Sequence, residues 1–366
     1  MKFIYFDFDQ HNNPLLGAGQ GRATWAVGKE LVKLGHQVQV ICSRYPGSVD
    51  RIESGIAYRH IGLGSKWIKL NNLVYLLAAP LYALKLKPNH ADVIIECSTA
   101  PTSTLLTPLC TKIPVVILPS MFNAAEFAKK YKLPFHLIER WGIQFYKYAL
   151  PYSKIDNAKL RQLNPQLTTK IVQQGVEALY FDLPHNQPQH YLFLSRFDIE
   201  QKGIDLLLKS YKAAESKLRY PLVIAGHGPD EAKIKALINS LKLDDKVKIV
   251  GSAYGEKKYQ LMSQAVAVVF PSRHDEMCLW TVEALAAGLP HVVFDIPENY
   301  WLPAEATYKI PAFDTQAFGQ ALVKVAQPDL NKNMRTAARK FARQFSWKKV
   351  AEETAAFVTS QVLKQN

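Results

Sequence analysis

The chain has few cysteines and no long apolar run. Its 366 residues include 4 cysteines, which form no Cys-x-x-Cys pair and no cluster with histidine, so neither a zinc site nor a disulfide framework is expected. No stretch reaches the roughly 20 apolar residues that a membrane-spanning helix needs. The first residues carry Asp7 and Asp9 and do not follow the pattern of a secretory signal peptide. These absences favour a protein of the reducing cytoplasm.

Nucleic-acid-binding patterns are also missing, although the chain is basic. Lys and Arg number 45 against 31 Asp and Glu, a net charge of +14, which would attract nucleic acid, an anionic membrane or a phosphate-bearing substrate. The basic residues are scattered, with no arginine-rich run, helix-turn-helix or RNP signature. Nucleic acid is therefore not expected as a partner, while the membrane and the substrate both stay open.

Short runs of β-branched and aromatic residues alternate with longer helical patterns, which predicts an α/β protein with parallel sheets covered by helices. The runs that predict strands are residues 2–8, 37–42, 92–97, 114–118, 191–194, 222–225, 246–250, 266–270 and 291–294. A polar stretch at 184–190 separates the two sets. We therefore predict two doubly wound domains, residues 1–186 and 187–345, followed by a helix within residues 346–366.

A glycine-rich turn, Gly17 to Arg22, follows the first predicted strand and opens a helix. Gly19 and its neighbours would let the backbone approach a phosphate or a sugar closely, although the turn is not a Gly-x-Gly-x-x-Gly and a flexible loop would explain it too. Asp7-Phe8-Asp9 just before it looks like a metal-binding Asp-x-Asp or the start of a haloacid-dehalogenase-type phosphatase. That phosphatase pattern wants Thr or Val where His11 stands, so ordinary strand-end acids are favoured and no metal is predicted.

Two further segments follow strands of the second half. Leu194 to Asp205 leads from a strand into Arg196 and Lys202, which could place two positive charges on a diphosphate. Val269 to Pro290 carries Asp275 in a loop and Glu283 on the following helix, where two acids could hold different hydroxyls of one ligand while free backbone N–H groups face a phosphate. Solvated surface charges and a helix-capping acid are the alternative explanations.

These segments resemble the retaining glycosyltransferases of group 1, also called family 4, which have the GT-B fold. The resemblance is carried by Ser195-Arg196 through Lys202-Gly203, Ala225 to Pro229, Val250-Gly251, and Pro271 to Pro290, in the order of the family. It extends more weakly over the glycine turn and over Phe345-Ser346-Trp347. It implies two Rossmann-like domains facing a cleft, with the terminal helix crossing back to the first domain.

The resemblance also implies roles for individual residues. Arg196 and Lys202 would neutralise the diphosphate of a nucleotide-sugar donor, UDP- or GDP-linked, and Asp275 would contact the transferred sugar. Further donor contacts are implied for Gly19, Val250, Gly251, Met277, Cys278, Leu279 and Glu283. Glu283 would hold the ribose, and the base would lie near Val250 and Gly251. In the usual account of this family the leaving phosphate takes the acceptor proton, so no protein nucleophile and no cofactor are expected.

The sequence departs from the family at three points. The first acid of the usual Glu-x7-Glu pair is Asp275, and Glu276 and Cys278 replace the glycines that normally follow it. A histidine often found after the fourth strand is absent, and Ser120 is the residue there that could hydrogen-bond to the sugar. A catalytically silent nucleotide-sugar-binding protein is therefore an alternative, as is a basic membrane- or nucleic-acid-binding protein.

Two stretches of the first half mix lysines with apolar and aromatic residues, namely Lys66 to Lys87 and Lys129 to Tyr148. Such a mixture suits the edge of an anionic membrane, and core helices with solvated lysines would give the same pattern. We expect a glycan, glycolipid or lipid-linked acceptor and peripheral contact with the inner face of the membrane.

Overall fold

The computed structural model describes residues 1–16, 19–99, 103–121, 124–132, 134–275 and 277–364, without the side chains of residues 99, 120, 121, 126, 127, 130 and 131. Part of the glycine turn, residues 17 and 18, and Glu276 lie outside the described residues. The chain divides into two compact units, Met1–Gly175 with Ser346–Asn366, and Val176–Phe345. Among the described residues, no helix is both long enough and apolar enough to cross a membrane.

The first unit is built on a sheet of eight strands. They are β1 (Lys2–Phe6), β2 (Gln37–Ser43), β3 (Arg51–Glu53), β4 (Ile56–Ile61), β5 (Val93–Thr99), β6 (Val115–Met121), β7 (Tyr148–Ala149) and β8 (Thr168–Thr169). Their order is β3-β4-β2-β1-β5-β6-β7-β8, and β3 alone of these runs antiparallel to its neighbour. The helices of this part are α1 (Gly19–Lys33), α2 (Ile68–Ala83), α3 (Thr107–Cys110), α4 (Ala124–Tyr131), α5 (Phe135–Gly142) and α6 (Lys154–Leu163).

The second unit is built on a parallel sheet of six strands in the order β11-β10-β9-β12-β13-β14. The strands are β9 (His190–Leu194), β10 (Leu222–Ala225), β11 (Val247–Gly251), β12 (Ala265–Phe270), β13 (His291–Phe294) and β14 (Thr307–Ile310). The helices are α7 (Ile199–Lys202), α8 (Ile204–Ala214), α9 (Glu231–Ser240), α10 (Gly255–Ser263), α11 (Leu279–Ala286), α12 (Thr315–Val325) and α13 (Pro328–Ala342). The chain reverses its direction of winding between β9 and β12, and ligands of such sheets bind at the carboxyl ends of these two strands.

Apolar runs form the strands of the second sheet because both of its faces are covered. Phe193 and Val269 belong to the core on one face, and Leu192 and Val268 belong to the core on the other. Since successive side chains of a strand point to opposite faces, a strand buried on both sides is apolar throughout. This explains why β12 has no exposed residue.

The boundary between the units lies at Gly175 and Val176, ahead of the predicted boundary between residues 186 and 187. Val176 and Tyr180 pack into the core of the second unit. The polar stretch expected to separate the domains is bound to that unit as well, because the backbone N–H of Asn186 donates to the carbonyl oxygen of Ser263 over 3.1 Å. Polarity alone therefore misplaced the boundary.

The C-terminal helix, α14 (Trp347–Phe357), continues as a π-helical turn at Val358–Val362. It packs against α1. The end of the chain therefore belongs to the first unit, although the second unit precedes it in the sequence. Gly175 permits this path, since a Cβ atom there would lie 2.5 Å from the Trp347 ring. Phe357 adds an edge-to-face contact with Tyr148, with 6.5 Å between the ring centroids.

Asp7 lies just past β1, beside the point where the first sheet reverses its winding. Its carboxyl group is buried and accepts hydrogen bonds from the Thr24 hydroxyl of α1 and, over 3.2 Å, from the backbone N–H of Asp9. Burial raises the pKa of Asp7 to about 7, although the hydrogen bond from Thr24 acts in the opposite direction. The native state therefore holds a proton on Asp7 at pH values where the unfolded chain does not.

We expect the contribution of Asp7 to the free energy of unfolding to be present below about pH 4 and to be lost as the pH rises to about 7. Asp7→Asn, which stays neutral, should therefore gain stability relative to the parent protein, on the order of 2–4 kcal/mol between pH 4.5 and pH 8. Urea denaturation at the two pH values measures this, with Asp245→Asn at an exposed position as the control. If Asp7→Asn and the parent protein differ in their free energy of unfolding by the same amount at both pH values, the raised pKa of Asp7 is contradicted.

Candidate functional site

The predicted site residues of the second unit follow the carboxyl ends of its strands, where two glycines allow the loops to touch. Gly203 has a φ angle of +63°, and a Cβ atom there would lie 1.9 Å from the carbonyl oxygen of Pro271. Gly226 has a φ angle of +146°, and its Cβ atom would lie 1.9 Å from the carbonyl oxygen of Ser195. Side chains at either position would separate the loops that follow β9, β10 and β12.

Arg273 fastens the loop after β12 to the α7–α8 region. Its guanidinium donates to both carboxylate oxygens of Asp205 over 2.9 and 2.8 Å and to the carbonyl oxygen of Ile199 over 2.8 Å. The paired hydrogen bonds match the fork of an arginine to a carboxylate. Arg273 belongs to a segment singled out in the sequence, but its partner 68 residues away was not predicted.

Lys202 and Asp275 form an ion pair at the centre of this region. The Lys202 ammonium lies 2.8 and 2.7 Å from the two carboxylate oxygens of Asp275, and the Ser272 hydroxyl donates to the same carboxylate over 3.0 Å. Burial acts to lower the pKa of Lys202, but the carboxylate of Asp275 outweighs it and the pKa is raised. Lys202 is therefore a fixed, buried cation.

Arg196 is the exposed cation of the site. Its side chain is 55% exposed and donates to the side-chain oxygen of Gln201 over 2.7 Å and to Asp198 over 3.4 Å. Its charge also lowers the pKa of Lys202, as a smaller effect than burial and Asp275. The structure thus brings together Arg196, which is exposed and has a long ion pair with Asp198, and the ion pair of the buried Lys202 with Asp275.

Glu283 is buried on α11 and forms an ion pair with Lys258 of α10. Lys258 also donates to the Tyr180 hydroxyl over 3.1 Å and lies over the rings of Tyr180 and Trp280, 5.1 and 5.3 Å from their centroids. Lys258 was not predicted. The available signal was its helical spacing of four residues from Met262, which is also buried.

The loop around Gly251 presents polar groups at the end of β11. A Cβ atom at Gly251 would meet no atom within 4 Å, so this position faces open space. The Lys257 ammonium donates to the carbonyl oxygens of Val250 and of Ser252, and the Ser252 hydroxyl lies 2.8 Å from Nδ1 of His227. His227 and Ser252 therefore join the predicted Val250 and Gly251 at this end of the sheet.

Met277, Cys278 and Leu279 lead into α11. Met277 is buried, Leu279 is the first residue of the helix, and Cys278 precedes it without a side-chain cap for the helix N–H groups. Burial, and secondarily the carboxylate of Asp275, raise the pKa of the Cys278 thiol. The N–H groups of the first turn are therefore accompanied by a neutral thiol.

Gly19 and Ser120 belong to the first unit. Gly19 is the first residue of α1, and a Cβ atom there would meet nothing within 4 Å. Ser120 lies in β6, and its side chain is outside the described part of the chain. Across the described ranges, no group of three or more His, Cys, Asp and Glu side chains could hold a metal ion.

Two family models together match most of the chain. The model described as "Glycosyl transferases group 1" matches residues 178–341, and the model described as "Glycosyltransferase Family 4" matches residues 17–156. The first match contains the paired Lys202 and Asp275 as well as Arg196 and Glu283. The second contains the glycine turn and Ser120.

Curated relatives cover part of this chain. A GDP-mannose:cellobiosyl-diphosphopolyprenol alpha-mannosyltransferase of Xanthomonas oryzae is 28% identical over 240 residues, which are 63% of this chain and 62% of that protein. Mannosylfructose-phosphate synthase of Agrobacterium fabrum is 25% identical over 175 residues, 44% of this chain and 38% of that protein. The match thus spans less than two thirds of the length of each of these relatives.

Solved structures share the fold over nearly the whole chain. A sucrose-phosphate synthase from Thermosynechococcus elongatus has a TM-score of 0.79 at 16% identity and covers 100% of both chains. Anabaena HepE in complex with UDP and glucose has a TM-score of 0.75 at 14% identity, over 98% of this chain and 100% of that one. The predicted GT-B fold class, with its two parallel-sheet α/β domains, is confirmed.

The buried pair of Lys258 and Glu283 should matter for stability. Lys258→Met leaves the Glu283 carboxylate buried without its cation, and we expect a loss of about 3 kcal/mol in the free energy of unfolding. Adding Glu283→Gln removes the unpaired charge and should restore part of that loss. Chemical denaturation measures both variants.

Lys257→Met is the matched control, because Lys257 is the neighbouring residue on α10 and is exposed. We expect it to change the free energy of unfolding by less than about 1 kcal/mol. If Lys258→Met costs no more than Lys257→Met, the buried pair does not stabilise this unit.

Proposed function

Because this chain belongs to the group 1 glycosyltransferases of family 4, we propose that it transfers a sugar from a nucleoside diphosphate donor, UDP- or GDP-linked, with retention of the anomeric configuration. The observation that carries the proposal is the arrangement of Arg196, Lys202 and Asp275 at the point where the second sheet reverses its winding. Two cations and one carboxylate there offer groups for a diphosphate and for sugar hydroxyls. The acceptor we propose is a glycan or a lipid-linked glycan.

The two cations would contribute differently to binding the diphosphate. Arg196 is exposed and bonds mainly to the neutral amide of Gln201, so it can turn to a phosphate without breaking a buried ion pair. Lys202, in contrast, is already bound to the carboxylate of Asp275 before a donor binds. A diphosphate that attracts the Lys202 ammonium would loosen this pair and allow the Asp275 carboxylate to accept hydrogen bonds from the sugar.

Glu283 and the loop after β11 would hold the nucleoside. Lys258 bonds to one carboxylate oxygen of Glu283, Oε2, and we propose that Oε1 accepts the hydroxyls of the ribose. The base would lie by Val250 and Gly251, where the absence of a side chain leaves open space. His227 and Ser252 provide hydrogen-bonding groups beside it.

Transfer would proceed without a protein nucleophile. The bond between the anomeric carbon and the diphosphate oxygen breaks as the acceptor hydroxyl forms its bond on the same face, and the acceptor proton passes to the leaving phosphate. Negative charge grows on that phosphate, and fixed cations and helix N–H groups stabilise such charge without reorganising. Arg196, Lys202 and the first turn of α11 would perform this task. Ser120 is proposed on the sugar side.

A thermal-shift screen of UDP, GDP, ADP and their sugar conjugates tests the donor site, since a ligand that binds only the native state raises its stability. We expect one nucleotide family to stabilise the protein. Arg196→Ala should weaken that binding by roughly 10- to 100-fold, because it removes charge-assisted hydrogen bonds to phosphate. NMR of the product formed with the preferred donor then reports the anomeric configuration.

Arg343→Ala is the matched control, because it removes an exposed arginine outside the candidate site. Its ligand-induced shifts should equal those of the parent protein. Stabilisation by none of the nucleotides, or an equal loss in both variants, would overturn the proposed donor site. An inverted product would leave the donor site standing and contradict retention.

We also propose that α2 rests on an anionic membrane, in line with a lipid-linked acceptor. Its buried side includes Tyr75 and Ala79, while Leu73, Leu77 and Leu81, spaced four residues apart, are 54–59% exposed. Leucines so exposed form an apolar stripe, a feature that marks interaction sites.

The charges around α2 suit anionic lipid. Trp67 at the start of the helix is 76% exposed, and exposed lysines stand at both ends, Lys66, Lys69, Lys85 and Lys87. Between Glu53 and Asp92 the sequence contains no acidic residue. Lysines and tryptophan at the border of an apolar face are typical of helices that lie in a membrane interface.

Flotation with vesicles containing phosphatidylglycerol tests this surface. We expect the protein to float with them, and the triple variant Leu73→Gln, Leu77→Gln, Leu81→Gln to partition roughly tenfold less, because it loses apolar area that would enter the interface. Val49→Gln with Ile52→Gln, which removes exposed apolar side chains elsewhere, is the control. Protein that stays at the bottom, or equal flotation of all variants, would contradict the membrane contact.

A further inference from the structure

A basic groove lies in the second unit, at the edge of the sheet opposite the candidate site. Its volume is about 470 Å³, within the range of sites for small molecules. Val266 at the start of β12 and Tyr220 just before β10 line it. The donor-site residues follow the carboxyl ends of the same strands, so the groove is separate from them.

Four cationic side chains line the groove, and no Asp or Glu among the described residues does. They are Arg219, Lys332, Arg335 and Arg339. Apolar walls from Pro188, Tyr220 and Val266 complete it. Cations gathered in a concave site raise the local concentration of anions, and the apolar walls leave room for the organic part of a ligand.

Arg335 is held in place entirely by neutral acceptors. Its Nε donates to the side-chain oxygen of Asn331 over 2.8 Å, its Nη2 donates to the carbonyl oxygen of Ala265, and its Nη1 lies 2.7 Å from Nδ1 of His185. Burial, and secondarily the charge of Arg339, lower the pKa of Arg335 to about 10. The guanidinium remains charged at neutral pH, and it has no ion-pair partner within the part of the chain that the structure describes.

Arg339 lies one helical turn further along α13. Its Nη2 donates to the carbonyl oxygen of Leu183 over 3.0 Å, and its buried Nε has no hydrogen-bond partner among the described residues. The charge of Asp182 acts to raise the pKa of Arg339. In the described structure, however, Asp182 forms no ion pair with Arg339 within 4.0 Å. Two neighbouring guanidinium groups in the lining favour an anion with several oxygens.

We propose that this groove binds the phosphate group of a small phosphorylated molecule, through Arg219, Lys332, Arg335 and Arg339. A tetrahedral phosphate presents enough oxygens for two guanidinium groups at once. Asn331 keeps the floor rigid, since its amide donates to the carbonyl oxygens of Val266 and Val325, both over 2.8 Å. The phosphate could belong to a free metabolite or to a lipid headgroup.

Inorganic phosphate, titrated against chloride at constant ionic strength, tests the groove by thermal shift. We expect a concentration-dependent stabilisation that the variant Arg219→Gln with Lys332→Gln weakens at least tenfold. Arg219 and Lys332 are exposed at the rim of the groove. We do not substitute Arg335, because it also bonds to the backbone of β12 and its loss would disturb the fold. Lys340→Gln with Arg343→Gln, at exposed positions of the α13 region, removes the same charge and should bind phosphate as the parent does.

Two further arms distinguish the sources and the sites. Arg196→Ala should keep the phosphate response, and a loss in that variant would assign the response to the donor site and overturn the proposal. Vesicle binding that depends on Arg219 and Lys332, without a response to free phosphate, would support the site and assign it to a lipid headgroup. No response to either probe, or equal losses in both double variants, would overturn it.

Discussion

The close approach of the loop after β12 to the start of α8 is the constraint on which the candidate site depends. Gly203 allows the approach because its missing Cβ leaves space for the carbonyl oxygen of Pro271, and Arg273 secures it through Asp205. Lys202, the residue before that glycine, is thereby placed beside Asp275. The ion pair is a consequence of backbone geometry, because neither loop could hold its charged residue in a buried position without the other.

Buried cations at the two edges of the second sheet have different kinds of hydrogen-bond partner. At the carboxyl edge, Lys202 and Lys258 each have a carboxylate partner, which offsets the cost of removing charge from water. At the amino edge, Arg335 bonds to neutral oxygens and a ring nitrogen. A ligand that binds Lys202 must therefore loosen its pair with Asp275, whereas at the amino edge a ligand can supply the negative charge that Arg335 does not meet among the described residues.

Much of the fold could be predicted from the sequence because buried parallel strands are continuous apolar runs. The run at residues 266–270 gave β12 to within one residue. The two-residue strands β7 and β8 could not be predicted, since so short a segment has no periodicity and forms only through its neighbours. The boundary at Gly175 was missed for a related reason: Tyr180 joins the second core, and the local sequence does not show which core an aromatic side chain will enter.

The site was predictable where its residues are neighbours in sequence and not where they meet only in space. Arg196, Lys202 and Gly203 stand in one segment, so their order could be compared with a family. Lys258 lies 25 residues from Glu283 and next to another lysine, and its spacing from Met262 indicates the buried face of α10 but not the carboxylate that it meets. Residues that contact a shared ligand leave a pattern in the sequence, whereas the partner that neutralises a buried carboxylate depends on how α10 packs against α11. Such partners must therefore be found from the structure.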